Sequence, residues 1–481
     1  MSDAPLMLGV SGLRGIVGQS LTPEVALRYA SAFGSWLREH AGGEPLVVVG
    51  RDGRAGGEMI ERLAIAGLQA VGVRVCSLGV ATTPTVGVAT DLMEADGAMI
   101  VTASHNPQEW NGLKVLVRRA KVEGVDACAP SAHDAAAIVA AYQAGGSGFV
   151  PGDRIPSVWH EHEAPGTHVA RVLNACEDLF GDDLWSMVGA SGLVRRVVVD
   201  AVNASAPEAD SIFFAHAPTH CVMLHGETSG VFPHAPEPTA ENLSQPGGLC
   251  DAVRGLGASV GFAQDPDADR LAIIDEQGCY IGEEYTLALA AEAVLGALGS
   301  AARGQSVCTN LSTSRMIDDV AARHGARVVR TAVGEANVVE AMRASGAVLG
   351  GEGNGGVIWP QVTFVRDSLS AMALVMGLVA RSGKTISQLV ADMPRYAIVK
   401  RKADLKQRSD ADPALAAIAR AYAGQKVDLQ DGVRVDFADS WVHVRASNTE
   451  PILRLIAEAP HEKAASELLD AVEKIVKEAR A

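Results

Sequence analysis

At 481 residues, with 48% hydrophobic and 20% charged side chains, the chain has the composition of a folded protein of about three domains or more, not of a disordered or fibrous one. Its 57 acidic against 41 basic residues leave a formal charge of −16, which argues against a nucleic-acid partner, because backbone phosphates demand a clustered basic surface. The longest apolar run, residues 369–380, is too short for a membrane span, and the N-terminus lacks a signal-peptide layout. A cytoplasmic location is therefore expected. The seven cysteines (76, 128, 176, 221, 250, 279 and 308) are scattered without a Cys-x-x-Cys pair and read as buried thiols, not a disulfide framework.

In chain order, the first helix signal is Thr22-Pro23-Glu24, an N-cap with a first-turn proline and an acidic first turn, stopped by Gly42-Gly43. From residue 45 onward strand-like and helix-like segments alternate, the α/β pattern. Apolar runs at Leu46, Val197 and Ser306 each open a unit. Each unit then holds a second strand candidate that ends in a polar loop, followed by another apolar run: residues 97–107 before 113–117, 261–270 before 271–274, and 347–356 before 357–359. Residues 441–456 repeat the strand–loop–strand layout a fourth time. Residues 145–168 and 381–384 read as linkers, giving expected domains 1–160, 165–278, 279–384 and 385–481. The tail 461–480 has apolar residues near helical spacing (Ala465, Leu468, Leu469, Val472, Ile475, Val476) and is expected as an amphipathic helix.

The four loops differ chemically. Thr102-Ala-Ser-His-Asn-Pro107 places Ser104 at a strand tip, a candidate nucleophile or phosphate carrier with His105 beside it as a possible base; the plain alternative is a Ser/Asn/Pro turn. Asp265, Asp267 and Asp269 alternate along one loop. Three carboxylates this close repel unless a cation sits among them, and hard oxygen ligands favour Mg²⁺; the alternative is a solvated acidic turn. In residues 350–356, Glu352 and Asn354 stand among five glycines, suited to paired sugar hydroxyls if the stretch is more than a flexible hairpin. Finally Arg445-Ala-Ser447-Asn448-Thr449-Glu-Pro, with Arg454 beyond, reads as a phosphate cradle or else as a surface turn with ordinary ion pairs.

Taken in this order, the loops resemble those of the α-D-phosphohexomutase superfamily over essentially the whole chain, and Ser11-Gly-Leu-Arg-Gly15 is similar to that family's opening Ser-Gly-x-Arg-Gly. The resemblance implies three related α/β domains with mixed sheets plus a smaller C-terminal α+β domain around a central cleft. It implies that Ser104 carries a phosphoryl group, and that Mg²⁺ bridges it to Asp265, Asp267 and Asp269. Arg270, Arg14 and Lys114 would lie near the transferring group. Glu352 and Asn354 would hold sugar hydroxyls, while Arg445, Ser447, Asn448, Thr449 and Arg454 would face the other phosphate. The implied reaction passes a phosphoryl group between the 1- and 6-positions of a hexose phosphate through a 1,6-bisphosphate, with that bisphosphate as activator. The loops 331–337 and 351–356 look closest to the glucosamine branch; mannose or glucose is the alternative. A phosphatase or a non-catalytic sugar-phosphate sensor would use the same residues. The partner expected is a small hexose phosphate, on a monomer or homodimer.

Two departures stand out. Val10 replaces the family's usual Thr, and the turn 200–206 lacks its usual glycines. His160, His162 and His168 suggest zinc only weakly, without cysteine partners. His216, His220, His225 and His234 read as loop residues or satisfied polar contacts, and Met372, Leu374 and Met376 as core.

Overall fold

In the computed structural model, described for residues 5–10, 12–41, 43–118, 124–145, 148–447 and 451–479, the alternating strand and helix signals fold into four sheets. The first helix is Pro23–Ala41, and the Thr22 hydroxyl accepts the Val25 amide at 3.3 Å, as its capping pattern predicts. In the first domain the strands Leu46–Arg51, Arg74–Val80 and Gly97–Val101 run parallel, and Trp110–Arg118 returns antiparallel beside the last of them. The second domain repeats this with Arg196–Asp200, His220–Leu224, Val260–Gln264 and the antiparallel Leu271–Ile274. The third does so with Ser306–Asn310, Arg327–Thr331, Leu349–Glu352 and the antiparallel Gly356–Ile358.

In each of these sheets the four strands just named stand in the spatial order second, first, third, fourth, and the eight-stranded first sheet adds further strands at its edges. The loop between the third and fourth strands therefore occupies the same topological position in all three domains. It lies at the carboxyl end of parallel strands, where open α/β sheets bind ligands. The fourth domain differs: Ala397–Asp404, Ile452–Ala459, Trp441–Ala446, Val433–Asp436 and Lys426–Asp428 form a wholly antiparallel sheet. The helices Ala411–Ala421 and Glu462–Glu478 cover it. The latter buries Ala465, Leu469, Val472 and Val476, the stripe read from the sequence.

Packing corrects three expectations. The stretch expected as a linker contains Val158–His160, which adds a parallel edge strand to the first sheet. Ile386, Leu389 and Met393 belong to the apolar cluster shared by the second and third domains, and the fourth sheet begins at Ala397, so residues beyond 385 still pack with the third domain. Cys279 is exposed and Cys221 half-buried, although no disulfide joins any of the seven. The stretch Glu284–Ala302 has the length and hydropathy of a membrane span, yet more than half of it is buried inside the protein, as in a core helix. The helix Ser368–Ser382, holding Met372, Leu374 and Met376, is buried continuously from 368 to 380.

Candidate active site

Ser104 sits where a strand ends and must turn sharply. Its φ is 50°, a left-handed conformation uncommon outside glycine, and it is held there by its surroundings. The Ser104 amide donates to the Thr102 hydroxyl at 2.8 Å, which in turn donates to Asp52 at 2.7 Å. Arg54, fully buried, pairs with Asp52 at 2.9 Å and donates to the Ser104 carbonyl and, at 2.6 Å, to the Trp110 carbonyl. One guanidinium thus ties down both sides of the serine loop.

So fixed, the Ser104 hydroxyl donates to Asp265 Oδ2 at 2.9 Å, across the boundary between the first and second domains. Asp265, Asp267 and Asp269 are all buried, with ligand atoms within 4.8 Å of one another. The loop that carries them turns on Ala268, also at positive φ (55°). Asp265 Oδ1 accepts the amides of Asp269 and Arg270, and Asp267 Oδ2 accepts the Thr83 hydroxyl at 2.7 Å. Asp267 Oδ1 and Asp269 Oδ1 are buried without any hydrogen-bond partner. Unsatisfied carboxylate oxygens in a buried site fit a hard divalent cation such as Mg²⁺.

Cations surround the trio. Lys114 lies 2.9 Å from Asp269 and 3.8 Å from both Asp267 and Glu335. Burial opposes its charge, but those three carboxylates raise its pKa above the usual lysine value. Arg366 reaches Asp269 at 2.5 Å, Glu352 at 3.0 Å and Glu335 at 3.2 Å. Asp269 would be raised by burial, yet Arg366, Lys114 and Arg270 hold it below the usual carboxylate range. Asp265 goes the other way: burial, then the charges of Asp269 and Asp267, push it well up. Arg14 donates to the Asn106 side chain at 3.0 Å. His105 Nδ1 is 3.3 Å from the Ser104 hydroxyl; burial, then Arg270 and Arg14, push its pKa down to about 2, so the ring is neutral.

The sugar-loop candidates lie beside this cluster. Glu352 accepts Asn310 at 2.8 Å on its other oxygen, and Asn354 accepts the Gly356 amide at 3.3 Å. Gly355 has φ +85° and lies so close to the Leu271 carbonyl that a Cβ would stand 2.5 Å from its oxygen. Backbone contact between the second and third domains thus requires glycine there. In the fourth domain Arg445 and Arg454 are directly opposed on neighbouring strands and so share a face. Arg445 pairs with Asp431 at 3.1 Å, Ser447 is buried, and Arg454 is exposed. Asn448, Thr449 and Ser11 lie outside the described residues. The fourth domain contacts the third through His443 to Ser312 (2.9 Å) and the Val333 amide to Asp431 (3.1 Å), which sets Arg445 beside the loop 331–337.

The structure therefore joins Ser104, Asp265, Asp267, Asp269, Lys114, Arg14, Arg270, His105 and Glu352, and keeps the Arg445 loop on a separate wall. Sequence reasoning missed Arg54, Arg366, Glu335 and Thr83. A weak signal existed for the first: Asp52-Gly-Arg54 closes the opening strand of its unit just as the other polar loops close theirs. The weak zinc reading of His160, His162 and His168 has no support here. His168 is buried between Thr85 (2.9 Å) and Asp367 (3.0 Å), away from the two stacked exposed rings.

Comparison with known proteins places these features in context. Family models described as phosphoglucomutase/phosphomannomutase match all four domains: α/β/α domain I over residues 5–127, II over 186–278, III over 283–396, and the C-terminal domain over 397–475. A phosphoglucomutase/phosphomannomutase from Thermococcus kodakarensis is 36% identical over 98% of the chain and 99% of the relative. A probable phosphoglucosamine mutase from Methanopyrus kandleri is 34% identical over 98% and 97%. A phosphoglucomutase/phosphomannomutase family protein from Burkholderia thailandensis shares the fold at a TM-score of 0.78, with 26% identity and 98% of both chains covered.

Proposed function

Because the chain belongs to the phosphoglucomutase/phosphomannomutase family of phosphohexomutases, we propose that it interconverts hexose 6- and 1-phosphates through a phosphorylated Ser104, with glucosamine phosphate as the preferred substrate. The observation that carries this reading is the Ser104 hydroxyl 2.9 Å from a buried carboxylate trio rimmed by Lys114, Arg14, Arg270 and Arg366. In the resting enzyme Ser104 would bear the phosphoryl group. Its P–O bond breaks as the free hydroxyl of the bound monophosphate forms a new one. The resulting 1,6-bisphosphate turns around, and its other phosphoryl returns to Ser104. The proton lost by the serine on that return has Asp265 Oδ2 as its acceptor in reach, whereas the His105 ring, whose protonated form burial and the guanidiniums of Arg270 and Arg14 disfavour, is a hydrogen-bond partner and not the base. Lys114, Arg14 and Arg270 offset charge on the equatorial oxygens, which is most of what phosphoryl transfer requires.

Mg²⁺ held by Asp265, Asp267 and Asp269 would supply further charge neutralisation at the transferring group. Glu352 and Asn354 would orient sugar hydroxyls, with Arg366 fixing Glu352. Arg445, Ser447, Asn448, Thr449 and Arg454 would grip the phosphate that is not reacting, and Asp431 orients Arg445 for it. A cleft lined this way also reconciles an acidic protein with a dianionic substrate.

Glucosamine is favoured by the loops 331–337 and 351–356 and by the name of the Methanopyrus relative; the name of the Thermococcus relative favours glucose or mannose. Incubating the enzyme with each hexose 6-phosphate and a trace of 1,6-bisphosphate tests the reading. The 1-phosphate isomer is expected, fastest with glucosamine, and is abolished in Ser104→Ala and in EDTA. Free phosphate as the main product, or undiminished turnover in Ser104→Ala, would refute it.

A further inference from the structure

In the second domain, at the end of the strand next to the one that leads into the carboxylate trio, Asp200, His225 and His234 converge with ligand atoms within 4.8 Å of one another. Asp200 ends the strand Arg196–Asp200 and is buried; His225 follows the neighbouring strand at φ 51°, and His234 comes from the loop beyond it. His225 Nδ1 lies 2.9 Å from Asp200 Oδ1, and His234 Nε2 lies 2.9 Å from Asp200 Oδ2. Among the described residues, these imidazoles are the ion-pair partners of Asp200.

The second ring nitrogen of His234 makes the arrangement chemically specific. His234 Nδ1 is 2.8 Å from the Ala235 carbonyl, which can only accept, so Nδ1 carries the hydrogen. A neutral ring then turns the lone pair of Nε2 toward a carboxylate oxygen. Two acceptors at 2.9 Å need a cation between them, either a second proton on the ring or a metal ion. A carbonyl on the far nitrogen is the partner that fixes ligating histidines elsewhere. The rings are 32% and 21% exposed, which leaves room for a water as a further ligand.

From this geometry we propose that Asp200, His225 and His234 form a second metal site, one for a divalent transition ion of the zinc class. Two imidazoles and one carboxylate select such an ion, whereas the all-oxygen trio suits Mg²⁺. Ligand bonds of about 2.0–2.1 Å in tetrahedral geometry put ligand atoms about 3.3 Å apart. The pairs now at 2.9 Å would open by a few tenths of an ångström. The ion would staple the loop 225–235 to the strand end. The turn 200–206, which lacks glycine, already helps: Val202 and Asn203 take positive φ, the Asn203 amide donates to the His225 carbonyl at 2.6 Å, and its side chain donates to Val231 at 3.1 Å. The stapled loop docks on the first domain. Gly230 accepts the Ala55 amide at 3.2 Å and Gln108 at 2.9 Å, and Phe232 lies under Arg54.

Equilibrium dialysis of metal-stripped protein against Zn²⁺ in saturating Mg²⁺, with elemental analysis, tests the proposal. One zinc per chain is expected in the unaltered protein and in Asp267→Asn, and none in the double variant His225→Gln/His234→Gln. Co²⁺ in place of zinc should give the intense visible bands of a low-coordinate site with nitrogen ligands. That measurement needs no variant. Absence of bound zinc, its loss in Asp267→Asn, its retention in the double variant, or only weak six-coordinate Co²⁺ bands would each overturn the site and leave a protonated His234 as the bridge.

Discussion

Arg54→Met isolates what holds the serine loop. Methionine keeps most of the apolar stem and removes the charge. Asp52, fully buried, would retain the Thr102 hydroxyl at 2.7 Å and the residue 54 amide at 3.0 Å but lose its counter-ion. Leaving a buried carboxylate unpaired costs about 3–5 kcal/mol. The carbonyls of Ser104 and Trp110 lose donors as well, so the upper part of that range is expected. Total stabilities are about 5–15 kcal/mol, so a loss of this size is a large fraction of the whole and is read near the stability maximum at about 10–20 °C. Adding Asp52→Asn removes the stranded charge and should recover about 1–3 kcal/mol, a coupling that additive behaviour would not give. Turnover should fall on the order of 100-fold in Arg54→Met, because the nucleophile loses its fixed position. Urea unfolding followed by tryptophan fluorescence measures the first effect, and isomerase assays the second. A stability loss under about 1 kcal/mol, or a double variant no more stable than the single, would show that the Asp52–Arg54 pair does not hold the loop.

Glu284 offers a pH test. Burial, only partly offset by the Ser314 amide and Lys400, pushes its pKa up to about 8 from the ordinary 4.5. The folded chain keeps a proton that the unfolded chain releases, so stability should fall as pH rises from 4.5 through about 8. Glu284→Gln should flatten that slope in thermal melts taken across the range; an unchanged slope would place the effect elsewhere. Lys114→Met leaves the carboxylate trio without its nearest ammonium, so kcat should drop by about 10²–10³ while the Mg²⁺ concentration for half-activity decreases; a higher Mg²⁺ requirement would contradict the assignment. Gly355→Ala forces a Cβ against the Leu271 carbonyl, and steady-state kinetics should show a raised KM for the hexose phosphate with Ser104 phosphorylation, read by mass spectrometry, intact.

Much of the site was legible because its chemistry lies in short contiguous strings. Three aspartates in five residues, or one serine at a strand tip, need no partner to be noticed, and the repeated strand–loop–strand layout says that such strings occupy equivalent places. Arg366 and Glu335 carry no such local mark. Arg366 meets Asp269 across 97 residues and Thr83 meets Asp267 across 184, so their roles exist only once the domains pack. The same holds for His225 and His234, which read as ordinary loop histidines until Asp200 is placed between them. The junction near 385 was misplaced for a related reason: a short polar break looks like a linker, whereas burial of Ile386 and Leu389 depends on surfaces contributed by other segments.

The backbone angle at Ser104 narrows what evolution can substitute there. Threonine offers the same hydroxyl for the proposed phosphoryl transfer, but a β-branched side chain fits poorly at a φ of 50°. Glycine would relax the turn and lose the oxygen. Under the proposed reaction, the shape of this corner favours serine, which has both the reach and the tolerance, and a chain that drifts there is expected to lose turnover.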